Sequence, residues 1–202
     1  MAVTSWSTET PHMYGTRTTL EPLAPKHFEA LYVVAQPVEI WQWWHFNPAT
    51  SRTHFEQWFE AALALDASGE VLRFATIDAQ TGAPVGSTSF LTLSEVDRSI
   101  EIGWTWLTPS AWGTGINTDA KYLQLMYAFE KLGCQRVEFD TDEQNTRSRR
   151  ALEALPAQFE GVLRHNVRLP DGTKRSSAYY SVLEEEWPQV KGALRLRLGN
   201  ET

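Results

Sequence analysis

The chain has 202 residues, 42% hydrophobic and 21% charged, which suits one globular domain with a core that needs neither disulfide nor metal to hold it. Its 18 Lys and Arg against 25 Asp and Glu give a formal net charge of −7, and Cys134 is the single cysteine; this argues against nucleic acid as a partner, which would need a basic stripe, and excludes an intramolecular disulfide. Met1 to Gly15 is polar, without the apolar segment of a signal peptide, and no run approaches the roughly 20 apolar residues of a membrane span, so the expected setting is soluble, reducing and cytoplasmic, with no membrane partner.

In chain order, residues 1–15 read as a flexible N-terminal tail, followed by a strand over 16–23 that Pro22 ends. Pro25 opens a helical stretch with Phe28, Leu31 and Tyr32 at three- and four-residue spacing. Residues 37–50 are aromatic and irregular, and a second helix over 51–66 carries Phe55, Trp58, Phe59, Ala62 and Leu63 on one side. Three strands then follow, over 71–78, 84–93 and 100–107. In the third, Ile100, Ile102, Trp104 and Trp106 alternate with Glu101, Gly103 and Thr105, which sets Glu101 and Gly103 on the face opposite the Ile and Trp row.

The turn Trp112-Gly113-Thr114-Gly115 leads into a helix over 116–132, which Gly133 stops. A strand alternates Val137, Phe139 and Thr141 with acidic residues. Asn145 starts a short helix that ends at Pro156, and two strands over 157–168 and 174–183 flank the turn Pro170-Asp171-Gly172. Residues 184–202 are mixed in charge and read as a C-terminal tail, leaving 16–183 as one α/β domain of seven strands and four helices, with antiparallel hairpins early and late and βαβ-like crossovers between.

Chemistry concentrates between Glu101 and Thr118. A strand enters a two-glycine turn and a helix begins there, so helix N–H groups lacking an internal partner, the positive end of the helix dipole and the Thr114 and Thr118 hydroxyls form a phosphate cradle. The spacing fits neither a Rossmann fingerprint nor a P-loop. Two glycines alone are equally what an ordinary strand-to-helix connection requires.

Two motifs in order narrow the choice. Glu101-Ile102-Gly103-Trp104-Thr105-Trp106-Leu107 precedes Trp112-Gly113-Thr114-Gly115-Ile116-Asn117-Thr118, and Asn145-Thr146-Arg147-Ser148-Arg149-Arg150 follows. From Arg17 to Leu183 the chain resembles the GCN5-related N-acetyltransferase (GNAT) superfamily, in particular its RimJ/RimL-like branch. It departs from that branch at Asn117, where Gly or Ala is usual, at Thr114, where a basic residue is frequent, and at Leu155-Pro156-Ala157 in place of Leu-Gly-Phe.

The resemblance implies a mixed, mostly antiparallel central sheet with a V-shaped splay between two central parallel strands. It implies an acyltransferase with acetyl-CoA as cofactor and an amine acceptor, a protein N-terminus or a small molecule. The N–H groups of Gly113, Thr114, Gly115, Ile116, Asn117 and Thr118 would hold the pyrophosphate, with Trp112 also among the cofactor-binding residues. Trp104, Trp106 and Leu107 would edge the pantetheine arm, and Asn145 and Ser148 would approach the thioester. Asn145 is equally suited to a plain N-cap.

For catalysis, Glu101 is the candidate base, through a water, and Ser148 the candidate donor to the leaving thiolate; a solvated strand glutamate and a helix-surface serine are the structural alternatives. Family analogy directs Trp41, Trp44, Trp58 and Tyr179 to the acceptor pocket, although tryptophans so often fill cores that this is the commoner use. The five histidines lack metal-ligand spacing, so no metal is expected. Family habit and exposed aromatics point to a homodimer. Outside the enzyme class stand a non-catalytic acyl-CoA sensor and a Trp-rich interaction module.

Overall fold

The computed structural model describes Trp6 and residues 9–199. Its strands are β1 (Met13–Tyr14), β2 (Thr18–Pro22), β3 (Leu72–Asp78), β4 (Pro84–Ser94), β5 (Ser99–Leu107), β6 (Arg136–Asp142), β7 (Gln158–Arg168) and β8 (Lys174–Leu183), forming one sheet in the order β1-β2-β3-β4-β5-β6-β8-β7. The helices are α1 (Phe28–Val34), α2 (Arg52–Ser68), α3 (Ile116–Glu130), α4 (Thr146–Glu153) and α5 (Trp187–Leu198). Every neighbouring pair of strands is antiparallel except β5 and β6, which are parallel.

The sheet is covered on both faces, which is why β3 is buried from Leu72 to Ile77 rather than at alternate residues. Leu72 and Phe74 face one core with Phe90, Leu123 and Phe129, against α3 and α5; Ala75 and Ile77 face the other with Phe55, Phe59 and Trp41, against α1 and α2. Asp119 of α3, 1% exposed, accepts the backbone N–H groups of Arg17 at 2.6 Å and Thr18 at 3.0 Å. That carboxylate ties the β1–β2 turn to α3 and brings Arg17 beside the glycine turn.

The expected α/β class and the parallel central pair hold, with eight strands and five helices in place of seven and four. The differences lie in the two segments read as tails. Residues 1–5, 7 and 8 at one end and 200–202 at the other lie outside the described residues. Within the rest, Met13–Tyr14 pairs with β2, a strand too short for any period to show. Trp187, Val190, Leu194 and Leu198 form a buried helical stripe, and the Trp187 ring stacks on Phe129 at 5.5 Å. Interspersed Lys191, Arg195 and Arg197 hide that stripe in a composition count, and Pro188 is tolerated because it falls in the first helical turn.

One further departure shapes the site. Between the pairs Ser89↔Gly103 and Ser87↔Trp106, β5 holds one residue more than β4, and Trp104 takes φ 47°. This β-bulge turns the strand over. Ile100 and Ile102 lie in the α3-side core, whereas Trp106 lies in the α1/α2-side core, so the expected single row of Ile and Trp is broken at Trp104. Across the sheet, β5 pairs with β6 only at Ser99↔Arg136, Ile100↔Val137 and Glu101↔Glu138. Beyond Glu101 the two strands separate, and a cleft opens.

Candidate active site

The glycine turn stands at the mouth of that cleft. Gly113 takes φ 74° and Gly115 φ 89°, backbone that glycine adopts without strain. A Cβ built at Gly113 would meet nothing within 4 Å, so the turn borders open space there. The Asp119 N–H bonds the Gly115 carbonyl at 3.0 Å; before it, the N–H groups of Gly113, Thr114, Gly115, Asn117 and Thr118 meet no protein acceptor among the described residues. Open space, unpaired N–H groups and the helix dipole fit a diphosphate. The Thr114 hydroxyl donates to the Ala111 carbonyl at 2.8 Å and accepts the Ile116 N–H at 3.5 Å, and the Ile116 side chain packs with Leu107 and Ala111, so Thr114 offers its backbone only.

Gly113, Thr114, Gly115, Asn117 and Thr118 line a hollow of about 460 Å³ whose rim carries Arg17 and Arg197. These two cations escape notice in the sequence because each lies far along the chain from the turn. The Arg147 guanidinium lies 3.6 Å from the Trp112 ring centroid. Trp112 also donates its indole N–H to the Leu107 carbonyl at 2.9 Å, which braces the end of β5 against the turn.

The hollow adjoins the main cleft, of about 410 Å³, between the separating strands. Trp104, Trp106, Leu107, Trp112, Asn145 and Ser148 all line it. Asn145 is an N-cap: its Oδ1 accepts the Ser148 N–H at 3.1 Å, leaving its amide nitrogen without a protein partner among the described residues. The Ser148 hydroxyl likewise makes no protein hydrogen bond there, and it faces the cleft.

Glu101 stands just behind the cleft wall. Its carboxylate accepts the Thr92 hydroxyl at 3.0 Å and covers the bare face of Gly103. Burial pushes its carboxyl above the usual carboxylate range, with Asp140 adding to the effect. Asp140 itself pairs with Arg175 at 2.8 Å. Gly103 and Asp140 line the cleft, with the Glu101 carboxylate against the bare face of Gly103.

Of the aromatic residues expected around an acceptor, Trp44 lines the cleft. Trp41 stands behind it, 4% exposed, its ring 5.1 Å from Trp44 and its N–H on the Ala35 carbonyl at 2.8 Å. Trp58 covers Arg73, and Tyr179 is half-buried opposite Asp140 in the β6–β8 pairing. Trp43 and His45, on the loop after α1, also line the cleft. Beneath the Trp104 bulge, Lys121 is buried with its Nζ on Thr88 and Thr105 at 2.9 Å and Gln124 at 3.0 Å. Among the described residues no cluster of three or more His, Cys, Asp or Glu could hold a metal, and no helix is long and apolar enough to cross a membrane.

Residues 17–158 match the family model described as an acetyltransferase (GNAT) domain. YdaF of Bacillus subtilis (strain 168), provisionally named a ribosomal N-acetyltransferase, is 29% identical over 181 residues, covering 86% of this chain and 94% of that one. A GCN5-related N-acetyltransferase from Brucella melitensis superposes with a TM-score of 0.87 at 31% identity, over 93% of this chain and 85% of that one. Mycobacterium smegmatis RimJ, in complex with CoA-disulfide, shares the fold with a TM-score of 0.79 at 22% identity, over 96% and 97% of the two chains.

Proposed function

The chain belongs to the acetyltransferase (GNAT) family, whose cosubstrate is acetyl-CoA, and from that premise we propose that it transfers an acetyl or related acyl group to a primary amine by direct attack in a ternary complex. The acceptor is the α-amine of a protein N-terminus or a small molecule. One observation carries this reading: the open anion cradle at 113–118 leads directly into the cleft where β5 and β6 part. Motif order from Glu101 to Arg150 supports the RimJ/RimL-like branch, and the provisional name of YdaF is in keeping with it.

In this mechanism the turn N–H groups hold the diphosphate, and Trp104 to Leu107 edge the pantetheine arm as an added strand would. A backbone N–H near Trp106 or Leu107 donates to the developing oxyanion. Glu101 takes the amine proton through a water, and the Ser148 hydroxyl supplies one to the departing thiolate, directly or through water. Because a thioester is already reactive, alignment of the amine supplies much of the acceleration. The acyltransferase domain runs from residue 16 and takes in α5. A cytoplasmic homodimer completes the proposal, and light scattering tests the dimer.

Release of free thiol from acetyl-CoA across a panel of amines tests the activity; no release with any amine overturns it. A base with a raised pKa gives kcat/KM an acidic limb, with activity falling as pH drops through the Glu101 pKa, because only the carboxylate accepts the proton. Glu101→Gln is expected to lower kcat by roughly tenfold or more and to remove that limb. A pH profile unchanged in the variant removes Glu101 from proton transfer.

A further inference from the structure

Arg73 is the most unusual charge in the molecule. It lies in β3, 3% exposed, yet its guanidinium makes no hydrogen bond and no ion pair among the described residues. It is held instead between two rings, 4.8 Å from the Trp104 centroid and 5.4 Å from the Trp58 centroid. Burial lowers its pKa to about 10, against which Asp66 acts as a countercharge. The Oδ1 atom of Asp66 is taken by the Arg73 backbone N–H at 2.8 Å and the Thr10 hydroxyl at 2.6 Å. A buried cation whose Nε–H is cut off from solvent without an acceptor is costly, and structures keep such groups where something pairs with them.

The surroundings of Arg73 repeat the pattern. On the same sheet face, Ser87 Oγ, Ser89 Oγ and Trp106 Nε1 are buried without a partner among the described residues. The cross-strand rows are Arg73, Ser89 and Gly103, then Ala75, Ser87 and Trp106, so small side chains floor the space between Arg73 and the cleft. The partition between them is Trp104, which lines the cleft on one side and covers Arg73 on the other. Its ring is 43% exposed and rides on the bulge rather than on a regular strand.

We propose that Arg73, with Trp106 Nε1 beside it, is the anchor for a carboxylate on the amine acceptor, reached when the Trp104 ring swings aside. The proposal rests on the acyltransfer function above and narrows its acceptor to amines that carry a carboxylate within a few bonds, the class of amino acids. A single planar guanidinium fork matches one carboxylate, and the absence of a second cation at Arg73 among the described residues sets a carboxylate ahead of a phosphate. Opposite charges flank Gly103, with the Glu101 carboxylate on its bare face and Arg73 two strands away, while Asp140 is already paired with Arg175. Arg73 and Gly103 stand two strand spacings apart, about 10 Å between Cα atoms, and the arginine side chain bridges most of that distance.

The experiment compares three forms of each acceptor: the amino acid, its carboxamide and its decarboxylated amine, by thiol release from acetyl-CoA, with wild-type protein and with Arg73→Met and Arg73→Lys. The expected result is a kcat/KM at least tenfold higher for the acid form. Arg73→Met erases that preference through KM, while acetyl-CoA binding and the melting temperature show that the variant is folded. Arg73→Lys restores part of the preference. Acylation of carboxamides or plain amines as fast as acids, in the wild-type protein alone, overturns the proposal and leaves acyltransfer standing. No acylation of any form overturns both.

Discussion

Gly113→Asp is expected to weaken acetyl-CoA binding by at least a hundredfold, about 3 kcal/mol, without unfolding the protein. The position separates binding from folding. Its φ of 74° makes any side chain mildly strained, at a cost of about 1 kcal/mol, yet a Cβ there meets no atom within 4 Å. The added carboxylate therefore enters open space on the turn that carries the unpaired N–H groups of Gly113, Thr114, Gly115, Asn117 and Thr118, and opposes a diphosphate by charge. Gly115 is a poorer place for the same test, because a Cβ there would come within 2.8 Å of Arg17 Cδ and disturb the β1–β2 turn. Gly113→Ala carries the strain alone and Gly113→Asn adds the bulk without the charge, so titration calorimetry on the three variants separates the causes. An aspartate variant that binds like the wild type would mean that the diphosphate is held elsewhere.

The cradle was legible because its physics is local. A strand, two glycines and a helix start fall within one stretch, and glycine at 113 and 115 is what two positive φ values require. The same holds for Asn145, whose side chain caps the helix that follows it. What could not be read depends on how distant segments meet. The bulge at Trp104 adds one residue against β4, a mismatch that exists only between two strands, and strict alternation therefore put Trp106 on the wrong face. Arg17 and Arg197 come to the turn from opposite ends of the chain. Glu101 was expected at the opening; it is instead one layer behind, because the bare face of Gly103 lets its carboxylate fold over the strand. Arg73, in a run of buried strand residues, had no local mark at all.

Lys121 supports the second large prediction: the folded protein gains about 2 kcal/mol of stability between pH 7 and pH 9, and Lys121→Met abolishes the gain. Burial lowers the pKa of this ammonium to about 7, against about 10.4 in an unfolded chain. Between those values the unfolded state binds the extra proton, so stability rises with pH; below pH 7 both states are charged and the full cost of burying the ammonium remains. Three neutral oxygens, from Thr88, Thr105 and Gln124, offset part of that cost, which makes about 2 kcal/mol an upper figure. Of the other shifted groups, His27 titrates below the window, whereas the Cys134 thiol, pushed up to about 12 by burial, opposes the trend from about pH 8 upward, where the unfolded-state thiol ionises, so the slope is steepest between pH 7 and pH 8. Methionine keeps the volume and removes the charge. The Thr88 hydroxyl retains Thr105 at 2.7 Å and Gln124 at 3.2 Å, so the network closes without the lysine and the variant is at least as stable at pH 7. Urea unfolding at pH 7, 8 and 9 measures the slope. A wild-type protein whose stability is flat across that window keeps Lys121 charged throughout, and the ammonium then stays beneath the Trp104 bulge as a fixed positive charge.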